Sequence, residues 1–384
     1  MCKIERLRGL VNTAFLFFFL EVLTGCGSFF SSCHNCPPPT PPISSAEFVF
    51  AANLATGASD VSAFTVDSTT GILTAAPGSP FGGVTSPSSV TVVPSAKFAY
   101  VTNFSDNTIS GYTIAATTGA LTAISGSPFQ APGNPVMVAS EPSGKYLYTA
   151  NQSSNDVSGF MIDAATGAIS PISGSPFPVG LGPVAVTVDP AGQFVYVANS
   201  SSSTISAFSI DPSTGKLAAV SGSPFPANFF PRAFAIDPSS KFLYVGIASS
   251  FMGDSTEVMA FTIASSGALT PVSGSPFSAG RNPIAPAVDS TGKFLYVGNN
   301  TDSTLSTFTI DPATGALTPS GSPLTLSSSV SFCNVDVSGK FLYVAGSGIS
   351  GFSVDPTTGA LTPISGSPFP GGSNIFSMAT AKTQ

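Results

Sequence analysis

Charged side chains are scarce in this 384-residue sequence, where only 8% of the residues are Asp, Glu, Lys or Arg. Ser, Thr and Asn must therefore cover most of the surface, which suits a protein outside the cytoplasm and argues against a partner held mainly by charge. The formal net charge is −7, and the repeated part of the chain has no cluster of Lys and Arg. Nucleic-acid binding needs such a cluster to displace counterions, so no nucleic-acid partner is expected.

Histidine and cysteine are also rare, with one His and five Cys in the whole chain. The single His lies within Cys33-His34-Asn35-Cys36. A metal site needs about four ligands, and no further Cys or His lies nearby. A local disulfide or two idle thiols is the simpler interpretation, and Cys333, in an apolar strand, is interpreted as a small core residue. We therefore expect neither a metal nor another cofactor.

Residues 1–25 have the order of a targeting segment and are set apart from the fold. They start with three basic side chains, continue into an apolar run from Leu10 to Leu20, and end at Leu23-Thr-Gly-Cys26. This order resembles the lipobox of bacterial lipoproteins, which implies cleavage before Cys26 and lipid on its thiol. An uncleaved membrane anchor is the alternative, but the apolar run is shorter than the ~20 residues that span a bilayer.

Residues 26–46 contain five prolines and are predicted to form a semi-rigid extended tether. Gly27, rather than Asp, follows Cys26, which the lipoprotein resemblance associates with the outer membrane in a Gram-negative cell. The expected location is therefore the bacterial cell envelope, outside the cytoplasm, with the membrane as a partner through the amino-terminal lipid.

The motif Gly-Ser-Pro-Phe recurs through the rest of the chain, and its spacing predicts the architecture. Seven copies begin at Gly78, Gly126, Gly174, Gly222, Gly274, Gly321 (with Leu324 in place of Phe) and Gly366. An aromatic strand and a Thr/Ser-Gly turn keep the same period, and the aromatic strands start 47 to 52 residues apart. Five of these strands have the form Phe-x-Tyr, and the other two, Phe48-Val-Phe and Tyr146-Leu-Tyr, are variants of what is called here the Phe-x-Tyr strand. A fixed period of this length is the signature of a repeat array.

A single repeat, Pro183 to Phe225, contains four short apolar strands separated by turns, which is one blade of a β-propeller. A solenoid would need polar capping repeats at both ends, and neither end here is of that kind. Residues 374–379 match the first strand of a blade, whereas the first unit, at Glu47, starts with a second strand. The prediction is an all-β, seven-bladed propeller over residues 47–384, with four antiparallel strands per blade, closed by pairing the C-terminal strand with the first unit.

The sequence Tyr100-Val-Thr-Asn103, echoed at Tyr196–Asn199 and Tyr296–Asn299, spells a YVTN-type repeat. Together with turns of the form Asp-Pro-x-Thr-Gly-x-Leu, it resembles the lactonase-like seven-bladed propeller superfamily. That group includes propeller-type 6-phosphogluconolactonases, fungal muconate-cyclising enzymes and many surface proteins of unassigned activity. The resemblance implies the fold for about residues 47–383 and lactone chemistry as one activity found on it.

Chemistry is expected where the repeats disagree, because an active site needs asymmetry. The longest interval between aromatic strands, 52 residues, results from a long loop that carries Asp254 and Glu257. Arg232 lies in the crossover that enters the same blade, and Arg281 lies in the next one. Two guanidiniums and two carboxylates at one edge of the channel mouth form a candidate site for a ligand bearing a carboxylate or hydroxyl. A surface salt bridge that stabilises the long loop is the alternative.

Two functions remain open at this stage. The first is a lipid-anchored binding or scaffold module whose top face meets a glycan, peptide or envelope partner. The alternative is a lactone hydrolase, 6-phosphogluconolactonase-like, acting on a sugar or aliphatic lactone. Lactone hydrolysis needs a general base and donors for the oxyanion. The predicted propeller has no His, so Glu257 or Asp254 would have to act as the base, and no catalytic residue is assigned.

Overall fold

The computed structural model describes residues 45–54, 59–131, 133–248, 255–372 and 374–383. Regular structure in these ranges is entirely β, in seven antiparallel sheets. No helix in them is long and apolar enough to cross a membrane. The expected signal peptide, nearly all of the tether, Cys26 and Asp254 lie outside the described residues.

Each sheet is one blade, and its strands follow one another outward from a central channel. The bounds are as follows: blade 1, Ile375–Lys382, Glu47–Leu54, Ser59–Val66, Leu73–Ala75; blade 2, Pro87–Val92, Phe98–Asn103, Thr108–Ile114, Leu121–Ala123; blade 3, Pro135–Ser140, Tyr146–Asn151, Asp156–Ile162, Ile169–Pro171; blade 4, Pro183–Val188, Phe194–Asn199, Thr204–Ile210, Leu217–Ala219. The strands of the other three blades are: blade 5, Phe230–Ile236, Phe242–Ala248, Glu257–Ile263, Leu269–Pro271; blade 6, Pro283–Val288, Phe294–Asn299, Thr304–Ile310, Leu317–Pro319; blade 7, Phe332–Val335, Phe341–Ala345, Ile349–Val354, Leu361–Pro363.

A further two-residue segment extends the outer edge of blades 2 to 6. These segments are Phe129–Gln130, Phe177–Pro178, Phe225–Pro226, Phe277–Ser278 and Leu324–Thr325. Each is the end of a Gly-Ser-Pro-Phe motif and pairs with the start of the third strand. The recurring motif therefore completes the outer edge of its own blade before the chain crosses to the next.

The ring closes as predicted. The C-terminal strand Ile375–Lys382 pairs antiparallel with Glu47–Leu54 and supplies the inner strand of blade 1. At the far end of this pair the Lys382 ammonium lies 2.6 Å from a carboxylate oxygen of the buried Glu47. Closure removes the open sheet edge that would otherwise remain at the two ends of the array.

Neighbouring blades are joined by a hydrogen bond that explains two of the three repeated motifs. The tyrosine hydroxyl of each Phe-x-Tyr strand donates to the carbonyl of the glycine in the next blade's Thr/Ser-Gly turn, as in Tyr148 to Gly215 at 2.7 Å. The other five pairs are Tyr100–Gly167, Tyr196–Gly267, Tyr244–Gly315, Tyr296–Gly359 and Tyr343–Gly71. Phe50 takes the tyrosine's place in blade 1, so that blade makes no such bond.

The turn glycine also needs its missing side chain. Gly119 has a φ of +72°, and a Cβ there would lie 2.6 Å from the ring of Phe48 in the preceding blade. Only glycine combines that backbone conformation with so close an approach. The Thr/Ser-Gly turn is therefore an inter-blade contact rather than a phosphate loop.

The repeated acidic residues support turns. The buried Asp189 carboxylate accepts from the N–H groups of Gln193 and Phe194, both at 2.7 Å. The exposed Asp211 accepts from the hydroxyl and N–H of Ser213, and these bonds lower the pKa of Asp211. Carboxylates bound in this way stabilise the backbone of the turn.

The two ends of the propeller differ in composition. The crossovers between blades and the loops between second and third strands meet at one end, here called the mouth face; the N–H of Ser200, for example, donates to the Gly182 carbonyl at 2.9 Å. The other two turns of each blade lie at the opposite end, the turn face. Both arginines of the described residues lie at the mouth face. The turn face holds all the described lysines, which are Lys97, Lys145, Lys216, Lys241, Lys293, Lys340 and Lys382.

Candidate functional site

The central channel encloses about 300 Å³ and is lined by the inner strands of all seven blades. None of its lining residues is Asp, Glu, Lys, Arg or His. Cys333 lines it as well, and burial raises the pKa of its thiol, which keeps it protonated. Apart from this thiol, the lining therefore offers no acid–base group, and a ligand at the channel mouth would meet charged side chains only on the mouth face.

The polar residues that line the channel are concentrated on one side of it. On the side of blades 7, 1, 2 and 3, side chains bridge neighbouring inner strands, as in the Ser88 hydroxyl donating to the Pro135 carbonyl (3.1 Å) and the Asn334 amide donating to the Met378 carbonyl (3.3 Å). Blades 4 to 6 present mainly Val, Ala, Phe and Pro, among them Val186, Phe234 and Pro286. A ligand entering from above would therefore meet a different surface on each side.

Arg232 stands at a bulge where the inner strand of blade 5 meets the mouth face. The pairing shifts between Pro231 and Ala233, which leaves Arg232 unmatched in the ladder. Five other blades shift at the same point, and the residues skipped there are Ser88, Val136, Val184, Ile284 and Phe376. Arg232 is the only charged residue at this position, and a bulge is a common device for aiming a side chain.

The Arg232 guanidinium has no hydrogen-bond or ion-pair partner among the described residues. Its side chain is exposed to solvent, yet surrounding protein atoms partly desolvate the guanidinium and lower the pKa of Arg232. The group remains cationic, because an arginine is not deprotonated in proteins. A partly desolvated cation without a counter-charge is a favourable partner for an anionic group.

A buried hydrogen-bonded group, here called the Asn lock, holds the top of five blades. In blade 4 the Asn199 amide donates to Thr204 Oγ1 (3.1 Å) and Ser206 Oγ (2.9 Å), joining the second and third strands. Asn103 and Asn299 make the same two bonds, whereas Asn53 and Asn151 donate to a carboxylate, that of Asp60 or Asp156, and to a serine hydroxyl. The asparagine of the YVTN-type motif is therefore a structural residue.

Blade 5 replaces every member of the Asn lock. Counted from the tyrosine of the second strand, Tyr244, the asparagine position holds Ile247, which is fully buried. The first acceptor position holds Glu257, where blades 1 and 3 have Asp60 and Asp156, and the second holds Met259. Glu257 is partly buried, and no described residue donates a hydrogen bond to its carboxylate. Its own N–H donates to Ser255 Oγ at 3.3 Å.

A second change in blade 5 accompanies the loss of the lock. A Cβ on Gly180 would lie 2.7 Å from Asn199 Cγ, so glycine is required above the lock in blade 4. Blade 5 has Asn228 at that position, above the apolar Ile247. Its first two strands are also one residue longer, through the pair Phe230–Ala248. The top of blade 5 is thus rebuilt as a unit.

Arg281 takes part in an ion pair within blade 6. Its Nε lies 2.5 Å from Asp302 Oδ1, and its backbone N–H donates to Asp302 Oδ2 at 2.7 Å. These bonds lower the pKa of Asp302. Asp302 was not among the sequence-predicted site residues, but its repeat position gives a signal: in blade 4 Ser202 Oγ accepts from the N–H of Leu181 in the same way.

Glu257 and Arg281 lie at the junction of blades 5 and 6, and Arg232 lies on the inner strand of blade 5. The carbonyls of Ser255 and Thr256 accept from the crossover that carries Arg281, at 2.7 and 2.6 Å, and Glu257 pairs with Ser278. The inner strands of the two blades pack side by side next to Arg232. Asp254 lies outside the described residues. No group of three His, Cys, Asp or Glu within the described ranges is arranged to hold a metal.

Several solved structures have a fold similar to that of the whole propeller. A proposed 6-phosphogluconolactonase from Bacteroides fragilis is 22% identical, with a TM-score of 0.74 over 89% of this chain and 99% of that one. One from Bacteroides uniformis is 19% identical, with a TM-score of 0.75 over 88% and 99%. The periplasmic gluconolactonase of Pseudomonas aeruginosa is 19% identical, with a TM-score of 0.68 over 89% and 99%. These likenesses show the fold.

The sequence itself matches one family, described as Lactonase, 7-bladed beta-propeller, over residues 58–181, 176–284, 254–333 and 277–376. No curated protein matches it. The overlapping segments run from the third strand of blade 1 to the closing strand, so the match follows the ring observed in the structure. The chain therefore belongs to the seven-bladed β-propeller lactonase family.

Proposed function

We propose that the chain is a lipid-anchored propeller of the cell envelope that binds a small lactone, or the hydroxy acid it opens to, at the blade 5 side of the channel mouth. The observation that carries this proposal is Arg232, a partly desolvated cation without a described partner, above a channel whose lining is uncharged. The ligand class comes from the family and from the lactonases of similar fold.

The chemistry of Arg232 suits a carboxylate or a lactone carbonyl. A guanidinium offers a planar fork of donors that matches a carboxylate with two parallel hydrogen bonds. Hydrogen bonds to charged groups contribute roughly 1.5–3 kcal/mol, which is about one to two orders of magnitude in affinity. Arg281 is a weaker candidate for this contact, since Asp302 already holds its Nε.

The rebuilt top of blade 5 supports a functional role for this sector. Five blades make the Asn lock and fold with it, so the fold does not require Ile247, Glu257 and Met259 at these positions. Substituting a buried polar group usually costs stability unless all its partners change together. In blade 5 the asparagine and its acceptors have all been replaced, and the same blade carries Arg232, which has no partner among the described residues.

The test is ligand binding by the full-length protein in detergent, measured by calorimetry with gluconate and glucono-1,5-lactone. Arg232→Met should raise the Kd at least tenfold, and Arg232→Lys should not restore it, because an ammonium lacks the planar fork. Lys216→Met, on the turn face, is the matched control. Equal effects of the Arg232 and Lys216 changes, or no effect of either, would overturn the proposal.

Lactone hydrolysis is the second candidate function, and one observation favours it beyond the family. Glu257 presents a carboxylate with no described hydrogen-bond donor at the same blade junction. A carboxylate in that state is available to take a proton from an attacking water, while a nearby guanidinium stabilises the oxyanion. Each turnover opens the ester bond and releases one carboxylic acid. Acid release in a pH-stat over a panel of sugar and aliphatic lactones tests it, with Glu257→Gln expected to lower kcat with little change in KM.

Anchoring by lipid at Cys26 is the remaining part of the proposal, and it stands on the sequence pattern of residues 1–26. Cys26→Ala should abolish metabolic labelling with palmitate and move the protein out of the membrane fraction. Cys33→Ala is the control, because it removes a neighbouring thiol and leaves the lipobox intact. Labelling that persists in the Cys26 variant would contradict the lipoprotein assignment.

A further inference from the structure

The crossovers that enter blades 4 and 5 carry large exposed apolar side chains at the mouth; Phe376, in the inner strand of blade 1, is a further one across the ring. In blades 2 to 6 a proline lies at or next to the start of the inner strand, and the second residue before it is here called the rim position. Blades 4 and 5 place Leu181 and Phe229 there, with 59% and 53% of each side chain exposed. Blades 2 and 3 place Thr85 and Gly133 at the same position, so the crossover does not need a bulky residue.

The structural work of the Leu181 crossover is done by its backbone. The N–H of Leu181 donates to Ser202 Oγ at 3.1 Å, and its carbonyl accepts from the N–H of Ser201 at 3.1 Å. The side chain of Leu181 makes no comparable contribution, and exposing it to water is unfavourable. Exposed apolar side chains grouped at a concave opening are typical of ligand-contact surfaces.

These apolar side chains share their side of the mouth with the cation. Arg232 belongs to blade 5, two residues after Phe230 and three after Phe229. Below the rim, the channel lining supplied by blades 4 to 6 is apolar apart from Thr187. The sector therefore places one positive charge beside exposed apolar side chains, which is the complement of a molecule with an anionic head and a hydrocarbon tail.

We propose, resting on the function above, that the preferred ligand is an aliphatic hydroxy acid or its lactone, with the carboxyl group at Arg232 and the alkyl chain lying on Leu181 and Phe229. A polyhydroxylated sugar acid has no apolar part to cover this surface. Burial of each methylene should tighten the Kd about fourfold until the surface is covered.

The experiment compares two ligands with the same head group, 4-hydroxypentanoate and 4-hydroxydecanoate, each below its micelle-forming concentration, on the full-length protein in detergent. The longer acid should bind at least tenfold more tightly. Phe229→Ser and Leu181→Ser should remove most of that difference, Phe229→Leu should keep it, and Arg232→Met should weaken both acids. Met161→Ser removes an equally exposed apolar side chain from the turn-face end of blade 3, and it should change neither Kd.

Each other outcome has a defined meaning. Equal affinity for the two acids, with both still dependent on Arg232, would overturn the aliphatic preference and leave the proposed function standing. Absence of binding by either acid, or binding indifferent to Arg232, would overturn both. Sedimentation that shows a dimer lost in Phe229→Ser would assign the rim to a second copy of the chain and overturn the ligand proposal.

Discussion

Blades 4 and 5 are neighbours built on the same repeat, and they differ most at the mouth face. Both make the tyrosine-to-glycine bond to the next blade, at 3.0 Å from Tyr196 and 3.1 Å from Tyr244. Both bury a turn aspartate, Asp189 or Asp237. At the mouth face blade 4 has the Asn lock, whereas blade 5 has Ile247 in its place and Arg232 at its bulge.

The difference separates two kinds of contact. Bonds between blades fix the ring and are present in both, since each blade must hold the next. Bonds within the top of a blade fix only that blade, so they can be replaced one blade at a time. The site candidate lies where only the second kind of contact has changed, which explains how one propeller scaffold accommodates different chemistry.

The largest expected effect comes from removing the ring closure on which both blades depend. Deleting residues 374–384 removes the inner strand of blade 1 and leaves the buried Glu47 without Lys382. The loss should approach the whole stability of a folded domain, about 5–15 kcal/mol, because the sheet edge and the core beneath it open to water. Circular dichroism melting tests this, and amide exchange should show blades 4 and 5 losing protection together. A truncated chain that melts like the full one would contradict the closure.

A smaller effect is expected from putting the lock residue back into blade 5. Ile247→Asn buries a carboxamide opposite Met259 and should cost about 2–5 kcal/mol, from lost packing and unmade hydrogen bonds. Adding Met259→Ser and Asn228→Gly supplies the hydroxyl and the space that blade 4 has, so the triple variant should recover part of the loss. Urea denaturation measures the free energy of unfolding of each variant, provided that the m-value stays the same. A triple variant no more stable than Ile247→Asn alone would show that the missing lock partners do not cause the loss of stability.

Acid should affect the turn of blade 4 and spare the corresponding turn of blade 5. Hydrogen bonds from Ser213 and Thr214 lower the pKa of Asp211 below its ordinary value of 3.8, and blade 5 has Ala264 at that position. A lowered carboxyl pKa contributes stability above 3.8 that is lost as the pH falls through the folded-state pKa. Protection of the Ser213 and Thr214 amides from exchange should therefore fall in acid in blade 4 only, and Asp211→Ala should abolish the response. Equal responses in both turns would contradict this account.

The smallest effect is expected from the exposed ion pair. Half of the Arg281 side chain is exposed, and surface ion pairs of this kind contribute little and are screened by salt. Arg281→Ala should shift the melting temperature by less than about 2 °C, whereas ligand binding at Arg232 should persist. A larger shift would show that the ion pair is important for stability. A loss of binding equal to that of Arg232→Met would show that Arg281 belongs to the ligand site together with Arg232.

The fold was predictable because its determinants are local and repeated. Fixed offsets between the Phe-x-Tyr strand, the Thr/Ser-Gly turn and Gly-Ser-Pro-Phe predict strands and turns from the chain alone. Even the closure was visible, since residues 374–379 have the pattern of a strand that the first unit lacks. The reason for the tyrosine and the glycine was not visible, because Tyr148 meets Gly215 in the next blade, 67 residues away.

The site was predictable only in outline. Arg232 is an anomaly in the repeat and Glu257 follows the longest loop between aromatic strands, and both departures from the period can be read from a sequence. The ion pair of Arg281 with Asp302 joins a crossover to a loop 21 residues later, so its partner emerged only from the fold. The significance of Ile247 could not be predicted from the sequence, because the structural role of the asparagine that it replaces is seen only in the hydrogen bonds of Asn199.

The division of basic residues between the two ends has a practical consequence for any assay. Every primary amine on a described side chain is a lysine of the turn face, and both described guanidiniums are at the mouth. Amine-reactive coupling of the propeller to a sensor chip or a fluorophore would therefore attach it by the end away from Arg232. The immobilised molecules would share one orientation, with their openings towards the sample.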